Sequence, residues 1–145
     1  MVCLSTLAVY LITSIHHVYG AWLYDTPWRT HIAYQGFTWL LVCYLIMVIY
    51  INWSKRLLVW AYIVVAGFFF VGAIGFFEGA YNHVLKNILY FGGLSEDTLH
   101  LMYPPPKYLL PNDWFFEISG VLTLFISLWC MRTMIEWVRA SRSNI

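Results

Sequence analysis

Four long apolar stretches alternate with short polar breaks along this chain. They cover about residues 2–24, 32–53, 57–80 and 114–138, and each reaches the roughly 20 residues that a ~30 Å hydrocarbon layer requires. Lipid offers no partner to an open backbone group, so each stretch is predicted to be a helix. The breaks carry matching punctuation. Asp25-Thr26-Pro27 ends the first helix and Ser54-Lys55-Arg56 makes a tight turn. Pro104-Pro105-Pro106 and Pro111 exclude helix from the last loop. The pattern predicts an all-α integral membrane protein. Residues 1–145 form one domain, a bundle of four transmembrane helices with a Pro-rich outer loop.

The third stretch is longer than a membrane needs. Helical character runs from Leu57 to about Phe91, roughly 50 Å at 1.5 Å per residue. The helix therefore extends outward, or kinks near Gly79 and lies along the interface. Val84, Leu85, Ile88, Leu89 and Phe91 interleaved with Lys86 and Asn87 suit an interfacial continuation. Gly92-Gly93 then stops it.

Polar positions inside the spans are costly, so their placement is informative. In the first helix Thr6, Tyr10, Thr13, His17, Gly20 and Tyr24 recur at steps of three and four, which is one helical face. His16 lies on its flank. The second helix opens with His31, Gln35 and Thr38 on one face. The third carries Gly72, Gly75, Glu78, Gly79, Asn82, His83 and Lys86, with Gly75 and Gly79 as a close-packing pair. The fourth begins with Asp113, Glu117 and Gly120 on one face, with Thr123 and Ser127 deeper. His17, His31, Gln35, Glu78, Asn82, His83 and Glu117 all fall near one end of the bundle, and His100 falls in the loop beyond it.

Composition narrows the class. The chain is 61% hydrophobic and only 10% charged, far below the roughly 25% of soluble domains. A soluble globule, a disordered chain and a disulfide scaffold are excluded. A net charge of +1 provides no field for nucleic acid. Cys3, Cys43 and Cys130 lie in apolar runs and read as buried hydrophobes. The first stretch lacks a basic lead-in and a small-residue cleavage site, so it reads as a retained span. Lys55, Arg56, Arg132, Arg139 and Arg142 gather at the end of the termini, against Arg29, Lys86 and Lys107 at the other. The positive-inside rule then puts both termini in the cytoplasm and the His/Glu cluster near the extracytoplasmic face.

The cluster suits several chemistries. Imidazole with carboxylate suits a transition metal, Zn, Cu or Fe, and four-helix bundles build such sites from inward-facing side chains. The ligands expected are His17, His83, Glu78 and Glu117, with His16 and His31 as alternates. Tyr24, Gln35 and Asn82 are expected to hold or orient the cofactor. Glu78 and His83 are five apart, which an ordinary helix places about 140° apart. A kink or a turn of wider helix near Gly79 would bring both inward. Haem held by His17 and His83, or a quinone in a slot of Tyr24, Trp28, Phe77 and Tyr81, uses the same residues. So does acid–base catalysis by Glu78 or Glu117 on a lipid, sterol or quinone. A non-catalytic role in a larger membrane complex uses the Gly75/Gly79 face and the aromatic-rich flanks as a docking surface, and a homo-oligomer is a further expectation. The competing reading is structural, with polar groups at helix ends meeting water or one another.

Overall fold

A computed structural model of the chain describes residues 1–143; Asn144 and Ile145, and the side chains of Arg142 and Ser143, lie outside what is described. There is no strand among the described residues. Helix α1 spans Val2–Leu23. A 3₁₀ turn, Pro27–Thr30, leads into α2, His31–Trp53. Helix α3 runs without interruption over Arg56–Phe91. Short α4 is Glu96–Met102, and α5 is Trp114–Ser143. The four long helices are each long and apolar enough to cross a membrane, as their apolar stretches require.

The helices are not equivalent. Helix α5 packs along both α3 and α1, and these three form the core. Only 17% of the most apolar window of α2 is buried, against 39% in each of the others. Helix α2 is thus a peripheral wall, touching the core through Gly36, Leu40 and Cys43. Ser54 stops it in the left-handed conformation, φ 47°, and Lys55 leads directly into α3.

The local geometry of α3 decides the site. Arg56–Ala66 is α-helical, Gly67–Leu85 is a π-helix, and Lys86–Phe91 is α-helical again. A π-helix closes its hydrogen bonds from i to i+5. It is therefore wider, and shorter for its residue count, than an α-helix. The surplus length expected of this helix is taken up in part by widening, not by a break at Gly79. Gly92 and Gly93 end it, Gly93 at φ 86°.

The glycine pair on α3 has a specific occupant. A Cβ on Gly79 would stand 2.6 Å from the Leu124 backbone nitrogen, and one on Gly75 would be 2.9 Å from Ser127 Oγ. Helix α5 thus fills the face that the sequence left open to a partner chain. That face is not available for docking.

The loop between α3 and α5 also departs from expectation. Before its prolines it forms α4, whose first turn has Ser95 accepting from the Thr98 N–H and Glu96 and Asp97 near the positive helix end. Tyr103 is buried and donates to Tyr81 O at 2.8 Å, while Tyr81 donates to Met102 O at 3.4 Å. Burial pushes the Tyr103 phenol up to about 12, which keeps it a donor. Lys86 Nζ donates to Leu109 O at 3.0 Å and Arg29 Nη2 to Lys107 O at 2.9 Å. These bonds pin the loop over the end of the bundle that carries the histidines.

Candidate metal centre

His16 and His17 sit about four turns along α1, Glu78, Asn82 and His83 on the π-helical part of α3, and Glu117 and Ser119 in the first turns of α5. The π-helix brings Glu78 and His83 together: residues five apart lie almost above one another when hydrogen bonds close from i to i+5. Opposite them, Gly120 gives the His83 ring its space, because a Cβ there would fall on the ring itself. His16 is stacked on Phe116, its ring 4.2 Å from that ring and 4.6 Å from His83, edge-on.

Three atoms converge. His16 Nε2 lies 3.1 Å from His83 Nε2, and Glu78 Oε1 lies 3.5 Å from the first and 3.4 Å from the second. His16 and His83 are buried, at 0% and 1% exposure, and Glu78 is partly buried. The outer hydrogen bonds place a proton on each Nδ1. His83 Nδ1 is 2.8 Å from Glu117 Oε2, a carboxylate that only accepts, so the proton is on Nδ1. Ser119 Oγ donates to Phe116 O at 3.0 Å and therefore accepts from His16 Nδ1 at 2.9 Å. In the neutral rings both Nε2 atoms are then bare lone pairs. Asn82 Nδ2 donates to Glu78 Oε2 at 2.8 Å, which leaves Oε1 turned toward the two imidazoles. With both rings neutral, three electron-pair donors face one another, and a bound cation or a shared proton relieves their repulsion.

The spacing suits a metal ion. Ligands at 2.0–2.1 Å from one ion stand about 2.9 Å apart at right angles and about 3.4 Å apart in a tetrahedron. The observed triangle lies within a tenth of an ångström of that range. The supporting bonds are those of metal sites, in which the second ring nitrogen of each histidine is held by a carboxylate or hydroxyl.

The expected residues divide into three groups. Glu78 and His83 belong to the converging set, and with them His16, which the sequence placed on the flank. His17 lies just outside it, its Nε2 3.9 Å from Glu78 Oε1, and neither ring nitrogen has a hydrogen-bond partner. Glu117 stands one step behind, and its oxygens are occupied. Oε2 accepts from His83 Nδ1 and, at 3.0 Å, from Asn87 Nδ2, and Oε1 accepts from Lys86 Nζ at 2.9 Å. It orients His83 instead of joining the donor set. The remaining residues lie farther out. Tyr24 donates to Asn112 Oδ1 at 2.6 Å in the exposed loop region. Gln35 is exposed on α2 and, among the described residues, makes no hydrogen bond to a histidine. His31 is exposed and bonds Trp28 O at 2.5 Å, and His100 is exposed on α4.

The pair His16 and His83 does not suit haem. Axial histidines stand about 4 Å apart across the iron, given bonds near 2.0 Å, with the macrocycle between them. His16 and His83 approach to 3.1 Å inside a packed core.

A cavity of about 460 Å³ opens beside the set, between α2 and α3. His17, Glu78, Asn82 and His83 form its floor. No family model matches the chain, and no curated protein and no solved structure is significantly similar to it.

Proposed function

We propose that this protein binds one transition-metal ion in its membrane-embedded bundle, with His16 Nε2, His83 Nε2 and Glu78 Oε1 as ligands. The observation that carries the reading is the convergence of two imidazole nitrogens and one carboxylate oxygen, 3.1–3.5 Å apart. Two imidazoles and one carboxylate are a donor set used by Zn²⁺ and by non-haem Fe²⁺, and both keep positions open for a further ligand. Bound there, such an ion supplies Lewis acidity or redox chemistry toward whatever enters the cavity. Glu117 and Ser119 hold the imidazoles in the ligating tautomer, and Asn82 holds the carboxylate. His17 stands beside the open side. The basic residues Lys55, Arg56, Arg132 and Arg139 at the end of the termini support an orientation with that end cytoplasmic.

A second reading puts a shared proton where the ion would be, making Glu78 and the two histidines an acid–base group for a lipid-soluble molecule. The adjoining cavity favours it. Elemental analysis of detergent-purified protein, with the same analysis of Glu78→Gln and His83→Ala, separates the two. The metal reading expects one equivalent in the wild type, lost in both variants while their helical circular dichroism is kept. A folded wild type that holds no metal, and takes up neither Zn²⁺ nor Fe²⁺ on titration, overturns it in favour of the proton.

A further inference from the structure

The cavity has a second chemical feature that the metal set does not use. Arg29 lines it and is 7% exposed. Its Nε donates to Thr26 Oγ1 at 2.9 Å and its Nη2 to Lys107 O at 2.9 Å. No Asp or Glu lies within ion-pair distance of it, although all seven acids of the chain are among the described residues. Its Nη1 donors have no protein acceptor among the described residues. The guanidinium carbon sits 5.0–5.8 Å from the ring centres of Trp28, Phe116 and Tyr24. Those rings relieve part of the cost of burial. They do not supply the counter-ion that a buried charge needs.

The other ionisable groups around the cavity do not supply it either. Lys86 is committed to Glu117, and Lys107 adds a further positive charge at the mouth. Glu78 acts on Arg29 through space but makes no ion pair with it, being turned toward the histidines. His17 is 94% buried by its 6% exposure, lines the same cavity, and has no hydrogen bond at either ring nitrogen. The remaining wall is aromatic: Trp39, Phe68, Phe69 and Phe77. Phe68 and Phe77 are 76% and 52% exposed, so this wall runs out to the lipid-facing surface between α2 and α3. The volume of about 460 Å³ lies within the usual range for a small-molecule site.

We infer that this cavity binds an amphiphile with an anionic headgroup, taken up sideways from the bilayer. The carboxylate or phosphate pairs with Arg29 and accepts from His17, and the hydrocarbon body lies along the aromatic wall. The shared chemistry is a single acidic oxygen group on an apolar tail. A free fatty acid and a phosphatidic acid both provide it. The inference rests on Arg29 and the cavity, and stands whether the neighbouring set holds an ion or a proton.

Trp28 and Trp39 line the site and report its occupancy. Doxyl-labelled stearic acid, its methyl ester and a doxyl-labelled phosphatidic acid would each be titrated at alkaline pH into the purified protein, following tryptophan quenching. The acid is expected to bind on the order of tenfold tighter than its ester, because a buried charge pair is at stake. Arg29→Gln is expected to erase that difference, Arg29→Lys to keep most of it, and Lys55→Gln at the far end to leave it unchanged. Ala73→Phe, which fills the cavity without altering charge, is expected to abolish saturable quenching, and this keeps the test valid if Arg29→Gln fails to fold. Preference for the stearic acid alone, or for the phosphatidic acid alone, supports the inference and names the source. Equal binding of acid and ester, or an acid preference that survives Arg29→Gln, overturns it.

Discussion

The two halves of this bundle are built from the same helix faces and solve opposite problems. Toward the termini the buried polar groups are hydroxyls, and they are matched. Ser5 meets Thr133 at 2.7 Å, Thr6 meets Tyr62 at 2.8 Å, and Ser127 donates to Phe70 O at 2.9 Å. At the other end the same faces carry histidines and carboxylates. There Thr13, Ser14, His17, Asn82 and Asn87 each keep a buried polar atom without a partner. A buried polar group left unpaired costs about 1–3 kcal/mol. A half that is saturated has the character of packing, and a half that leaves donors and acceptors open has the character of a site.

Substitutions at the site should break the contrast most strongly. Glu78→Gln or His83→Ala should remove bound metal from stoichiometric to background levels, read by elemental analysis on folded protein. Glu117→Gln keeps a hydrogen-bond acceptor behind His83 but loses the charge that fixes its tautomer. It should weaken metal affinity by about 10–100-fold in a competitive chelator titration, the usual cost of disturbing such a supporting bond. Ser119→Ala frees His16 Nδ1 from a neutral partner and should fall near the lower end of that range.

Packing substitutions sharpen the contrast from the other side. Gly79→Ala drives a methyl into the α5 backbone, and overpacking of this kind costs about 1–3 kcal/mol. The unfolding midpoint should fall while metal binds normally to the folded fraction. The smallest effect belongs to the matched half. Thr6→Val removes the hydrogen bond to Tyr62, worth about 1 kcal/mol, and should leave metal content unchanged. Loss of metal in Thr6→Val would mean that the two halves are coupled and the contrast is false.

The four spans were legible because a bilayer imposes one requirement on every one of them, some 20 apolar residues in a self-satisfied helix. The gathering of His and Glu at one end was legible for the same reason, since depth can be counted along a helix. The assembly of the site was not. Counting α3 at 3.6 residues per turn sends Glu78 and His83 to different faces, whereas the π-helix aligns them. A signal was present. Ala66, Phe70, Gly75, Gly79 and His83, which turn out to face the core, recur every four to five residues instead of every three to four. His16 and His17 show a second limit. They straddle the buried face of α1 and both are buried, so periodicity could not choose between them. Nor could it separate the two carboxylates. Glu117 becomes an orienting group only because Lys86 and Asn87 reach it from α3. The short α4 was masked by the prolines that follow it, although Ser95, Glu96 and Asp97 mark its start.

The most direct test of the central claim is metal-edge X-ray absorption on the purified, metal-loaded protein, compared with the Glu78→Gln variant loaded in the same way. The account predicts a first shell of nitrogen and oxygen near 2.0–2.1 Å with the scattering pattern of two imidazoles, and its disappearance in the variant. A first shell without imidazole, or an unchanged spectrum in Glu78→Gln, would contradict it.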